Sequence, residues 1–198
     1  MLAAAGLTLA GCSSGGQPQA RKTPSPSPSP TSTVSVPAGV SLTDQGSKLS
    51  FGDSATVIFE ADQHRGTVLK LTAKQATKGR ISDMSGFVLG GATSRSTPYY
   101  VDVSVSNVGQ GQVGGVPVPL YGVDASNTLL PPAGFTSPFK RCPSQPLPKH
   151  FGPGDSFRTC LVYLAPHHGT MNAVSYRPDQ AFDPITWTGQ ITTEKKRR

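Results

Sequence analysis

From Ala55 onward the chain alternates apolar and polar residues in short runs, each closed by Gly, Pro, Asn or Asp. The clearest run is Tyr99–Asn107: Val101, Val103 and Val105 share one face, and Asp102, Ser104 and Ser106 share the other. A period of two with one apolar and one polar face predicts a strand in an antiparallel sheet, buried on one side and wet on the other. Similar runs predict strands at Ala55–Glu60, Thr67–Lys74, Val116–Val123, Phe157–Leu164, Ala173–Tyr176 and Ile185–Thr188. In Thr67–Lys74, Leu69 and Leu71 lie opposite Val68 and Lys70. Helical periodicity is nearly absent, because Gly and Pro interrupt every window before a helix reaches usual length.

About seven such strands in one domain predict an all-β fold, an immunoglobulin-like antiparallel β-sandwich. Composition agrees. With 198 residues there is room for one domain plus flanking segments, and 22 Gly with 19 Pro oversupply turns and linkers. Helical bundles and polytopic membrane proteins are excluded, and recurring apolar runs exclude full disorder. The net charge of +7 is concentrated outside the strand-rich region. Setting aside Arg21, Lys22, Lys195, Lys196, Arg197, Arg198 and Glu194 leaves 12 basic and 10 acidic residues, a net +2. So even a balance carries no electrostatic footprint for nucleic acid, and none is expected as a partner.

The N-terminus states where the protein works. Met1–Gly11 is a short uncharged apolar run, too short to span a bilayer, and it ends in Leu9-Ala10-Gly11-Cys12. That ending resembles the lipobox of bacterial lipoproteins, and the resemblance implies cleavage before Cys12 and a lipid on its sulfur. No Lys or Arg opens the run, which points to a start codon upstream. The expected organisation is a signal peptide at 1–11, a lipid-anchored Ser/Pro-rich linker at 12–39, the sandwich at 40–190 and a basic disordered tail at 191–198. Thr23–Pro30 alternates Pro with hydroxyl residues, the pattern of an extended polyproline spacer. The implied location is the outer face of the cell membrane, reached through the lipid anchor.

Cys142 and Cys160 remain as an even pair in an exported chain, where a disulfide is expected. Cys160 falls in the strand Phe157–Leu164, and Cys142 in the Pro-rich loop before it. Thr97–Gly109, with its Val-x-Val-x-Val-x-Asn-x-Gly pattern, resembles a strand and turn of the DUF4352 (telokin-like) family. Phe151–Ser156 and the strand to Pro166 are similar to a second segment of that family. The resemblance spans Leu49–Trp187 and implies an immunoglobulin-like domain of bacterial, often actinobacterial, lipoproteins. It implies no shared catalytic residues.

Candidate chemistry is sparse. Gly52-Asp53-Ser54 and Gly154-Asp155-Ser156 echo a Gly-Asp-Ser esterase block, but no Asp-x-x-His follows and each triplet precedes a strand as a turn does. His167 and His168 are the metal-ligand candidates, with His64 or His150 as a distant third. In an extended chain such neighbours point apart, which favours a plain surface loop. Trp187 reads as a core anchor. The expectation is a non-enzymatic binding module without cofactor, contacting an envelope protein or cell-wall polymer through the loops Gly109–Pro119 and Leu130–Pro148. The alternatives are a small-ligand or metal-binding lipoprotein using His167 and His168, and a hydrolase of wall polymers.

Overall fold

The computed structural model describes residues 33–193. Cys12, most of the linker and the basic end from residue 194 lie outside the described residues, as do the expected signal peptide and lipid attachment.

Among the described residues ten strands follow one another. They are β1 (Lys48–Ser50), β2 (Ser54–Glu60), β3 (Gly66–Lys78), β4 (Thr97–Asn107), β5 (Tyr121–Asp124), β6 (Leu129–Leu130), β7 (Ser156–Ala165), β8 (Met171–Tyr176), β9 (Ile185–Thr188) and β10 (Ile191–Thr193). Two single-turn 3-10 helices, Ile81–Met84 and Thr93–Arg95, lie between β3 and β4. One sheet has the order β1-β9-β8-β5-β6 and the other β10-β3-β4-β7, with β2 beside the first half of β3. The two form the expected β-sandwich.

The core between the sheets follows from the alternation. Val101, Val103 and Val105 of β4 point inward with Leu69 and Leu71 of β3 and Leu161 and Tyr163 of β7. From the other sheet come Met171, Val174, Tyr176, Ile185 and Trp187. Trp187 is fully buried, as a core anchor should be, and its indole N–H donates to the Asp53 carbonyl at 2.9 Å. The Tyr163 hydroxyl donates to the Leu120 carbonyl at 3.0 Å, and that of Tyr176 to the Ile58 carbonyl. Each large aromatic thereby buries its ring without stranding its polar atom.

Asn107 explains the Asn-x-Gly turn. Its side chain accepts from the Thr67 hydroxyl at 2.6 Å and the Gly109 amide at 3.1 Å, and it donates to the Gly111 carbonyl at 2.8 Å. A Cβ at Gly109 would collide with Thr67 and the Val68 backbone, so only glycine fits there. The turn is therefore a buried polar hub joining β3 to β4.

Three expectations change. The sheets are not purely antiparallel, because β1 runs parallel to β9 and β10 parallel to β3. Both are three-residue strands added at sheet edges by the two ends of the domain, too short to show alternation. β10 also occupies Ile191–Thr193, inside the expected tail at 191–198, so the sheet extends to Thr193. The run Val116–Val123 forms strand only from Tyr121, because Pro117 and Pro119 lack ladder donors. Val118 and Leu120 are nevertheless buried in the core.

The buried tyrosines give the fold an alkaline limit. Burial raises the Tyr163 and Tyr176 hydroxyls above the ordinary phenol range, and burial followed by the Asp83 charge does the same for Tyr100. The folded chain therefore keeps three protons that the unfolded chain releases near pH ~10. Stability of this origin is complete below that pH and lost as pH rises towards the folded values. The urea midpoint is expected to stay level up to about pH 10 and then fall, with phenolate absorbance appearing in the same transition. Phenolate absorbance that rises fully while the fold persists would contradict this.

Candidate functional site

The second sheet does not have one wet back face. At the Ser54–Ser106 end its outer side is polar, but towards the other end Tyr100 of β4 and Val162 of β7 are buried on it. Cys160 and Leu164 of β7 pack beside them. Two excursions of chain, residues 79–96 and 131–147, close over this patch and supply Met84, Phe139 and Cys142 to a second buried cluster. Phe135 lies 5.1 Å and Phe87 5.8 Å from the Phe139 ring, with Tyr100 at 5.9 Å. A Cβ at Gly79 would strike the Tyr100 ring, so glycine lets the first excursion leave the sheet directly against it.

Polar bonds hold the cover in place. A disulfide joins Cys142 to Cys160, with Cα atoms 4.9 Å apart. The Ala133 amide donates to the Val162 carbonyl at 2.7 Å, and the Ser144 amide to the Cys160 carbonyl at 2.8 Å. The excursion at 131–147 thus pairs with the outer edge of β7 and removes it as a site for edge-to-edge association. Asp83 links the two excursions to the sheet. It accepts from the Arg80 amide at 2.8 Å and the Tyr100 hydroxyl at 3.0 Å, and Arg141 lies 4.0 Å away. Arg141 also stacks over the Tyr100 ring at 5.0 Å.

The sequence signal for this second cluster is specific. Tyr99-Tyr100 and Leu161-Val162-Tyr163-Leu164 are unbroken apolar stretches inside otherwise alternating strands. Such stretches mean burial on both faces. The pairing of Asp83 with Tyr100 and Arg141 has no signal in spacing and appears only in three dimensions.

The esterase-like serines occupy turns and ladders. The Asp53 carboxylate accepts from the Ser50 amide and that of Asp155 from the Gly152 amide, each at 2.8 Å. Ser54 shares a hydrogen bond with Thr72 at 2.8 Å, and Ser156 with Ser106 at 2.9 Å. Both hydroxyls are cross-strand pairs on the polar back of the sheet, and Gln75 donates to Asp102 beside them at 2.7 Å.

His167 and His168 connect the two sheets between β7 and β8, and both are exposed. The loop is not extended: their φ angles are 54° and 56°, the left-handed values of a type I′ turn. The Gly169 amide closes it onto the Pro166 carbonyl at 2.8 Å, and the His168 amide donates to the Arg95 carbonyl at 2.7 Å. His64 sits in the β2–β3 turn and His150 in the segment before β7. Among the described residues no three His, Cys, Asp or Glu side chains are placed to share a metal ion. A cleft of about 290 Å³ beside the β2–β3 turn includes Glu60, Asp62, His64 and Arg65. There the Asp62 carboxylate is held below its ordinary range by the His64 amide first and then by Arg65, 2.7 Å away.

No family model matches the chain and no curated protein does, so the DUF4352 resemblance rests on its motif residues alone. The chain is similar to a secreted protein of Mycobacterium tuberculosis, MPT63, known from a crystal structure. The two share 11% identity with a TM-score of 0.47, covering 72% of this chain and 96% of that one.

Two consecutive histidines at positive φ cost backbone energy that glycine does not. His168→Gly is expected to raise unfolding free energy by about 0.5–1 kcal/mol, read from urea titration. A loss of stability would show that the imidazole itself holds the loop.

Proposed function

We propose that the chain is a lipid-tethered, extracytoplasmic β-sandwich of the bacterial envelope that acts by binding, not by catalysis. Its contact surface is the disulfide-bound cover at 79–96 and 131–147, and its partner is an envelope protein or cell-wall polymer. The observation that carries this reading is the second buried cluster. The core between the sheets takes only Leu147 from these loops, yet they make up about a fifth of the described residues and are tied to the sheet by Cys142–Cys160. A loop fixed in this way loses little entropy when a partner docks on it, which is the property a contact surface needs.

The other loop favoured by sequence, Gly109–Pro119, is used by the fold. The Val113 amide donates to the Phe151 carbonyl, and the Gly115 amide to the carbonyls of Leu147 and Pro148. It braces the second excursion from behind. The tether is supported by Leu9-Ala10-Gly11-Cys12, and an oxidised cysteine pair fits an exported setting.

One preparation tests both halves of the reading. Full-length protein is expected to enter the detergent phase on phase separation, and Cys12→Ala to remain in the aqueous phase. Neither is expected to turn over ester or glycan substrates. Equal partitioning of the two would remove the tether. Turnover abolished by Ser54→Ala or Ser156→Ala would replace the binding module with a hydrolase.

A further inference from the structure

The cover over the second cluster has an apolar apex. Val88 is fully exposed at 105% of its reference area, the most exposed large hydrophobic residue among those described. It sits between Phe87 and Leu89, whose side chains pack into the cluster beneath it. Gly86 precedes this trio, and Gly90 and Gly91 follow it. The Phe87 ring is braced by Phe135 at 5.2 Å, so Val88 is held outward on a supported tip.

The two excursions carry a net positive charge. Residues 79–96 and 131–147 contain Arg80, Arg95, Lys140 and Arg141, with Asp83 as their one carboxylate. Asp83 is engaged inward by the Arg80 amide and the Tyr100 hydroxyl, with Arg141 beside it. Arg95 lies against Gly91, three residues from Val88, and Lys140 directly follows the buried Phe139. Arg95 and Lys140 are both exposed. The rest of the domain is close to neutral, so the excess of cations belongs to the cover.

We propose that this face rests on an anionic phospholipid bilayer, with Val88 entering the headgroup boundary and Arg95 and Lys140 pairing with lipid phosphates. An exposed apolar residue on a face with exposed cations is what such an interface selects: apolar area gains by leaving water, and the cations gain from the negative surface. Charge and the exposed Val88 together commit the face to a bilayer: a neutral protein surface would gain nothing from the cations, and a polar wall polymer nothing from the valine. The inference rests on the reading of the cover as the contact surface, and it puts the bilayer itself in place of the protein or polymer named there. A lipid on Cys12 would bring the domain to the membrane, and this protein-borne contact would add to that attachment. It would also lay the domain down on the membrane.

The test uses the full chain carrying Cys12→Ser, so that no acyl group contributes, and sedimentation with vesicles of phosphatidylglycerol and phosphatidylcholine. Binding is expected to anionic vesicles, to weaken on vesicles of phosphatidylcholine alone, and to fall as salt is raised. Val88→Asp, or Arg95→Glu with Lys140→Glu, is expected to lower the partition coefficient at least about fivefold. All of these side chains are exposed, and unchanged urea midpoints will confirm that the variants fold. The two chain termini are common to every variant, so any binding through them cancels in the comparison. Absence of binding, or equal binding by Val88→Asp and by the double charge reversal, overturns the proposal. If binding is absent while cross-linking through Lys140 on cells captures an envelope protein or wall polymer, the bilayer proposal falls and the binding-module reading stands. If neither occurs, both fall.

Discussion

Strand β7 is apolar on both faces over Leu161–Leu164, and this constraint organises the rest of the domain. Its inward residues, Leu161 and Tyr163, are satisfied by the opposing sheet. Its outward residues, Cys160, Val162 and Leu164, have no sheet to face and need a cover of their own. Burying a side chain such as Val162 or Phe139 stabilises by about 1.5–3 kcal/mol, a gain available only if the covering loops stay down. Those loops contain Gly, Pro and Ser in abundance and lack regular structure beyond two short helical turns. The disulfide, the two edge hydrogen bonds to β7 and the Asp83 cluster are the devices that hold them.

The central sandwich was legible in the sequence because alternation of side chains is a local property. Val101, Val103 and Val105 declared their face, and most strands around them were recognisable within a residue or two of their ends, apart from β3, which continues four residues past Lys74 to Lys78, and β5, which starts at Tyr121 and not at Val116. What the sequence hid was non-local. β1 and β10 are strands only because β9 and β3 offer an edge to them, and three residues carry too little pattern to announce that. Pro117 and Pro119 sit in an apolar run whose residues pack into the core as a strand's would, yet they forbid the ladder. The site was half legible. Cys142 and Cys160 marked the covering loop, whereas the closing of residues 79–96 over Tyr100 depends on Asp83 finding a hydroxyl 17 positions away. The histidine pair lies on an exposed loop as expected, but the backbone there turns left-handed where an extended chain was expected.

The two ends of the second sheet's outer face therefore differ in kind. One is a ladder of hydroxyls and amides that satisfy one another across strands, a surface made to remain in water. The other is sealed, basic on its surface and apolar at its tip. Only the second is closed over by loops of its own.

The central claim is that Cys142–Cys160 holds the covering loops down on the sandwich. Amide hydrogen exchange of the oxidised and the reduced protein tests it most directly. Reduction is expected to speed exchange at Ala133 and Ser144 at least about tenfold, because their acceptors on β7 are reached only when the loop is held down. Exchange at Val101 and Val103 in β4 is expected to stay unchanged. Protection at Ala133 and Ser144 that survives reduction, or protection in β4 that collapses together with theirs, would contradict the account.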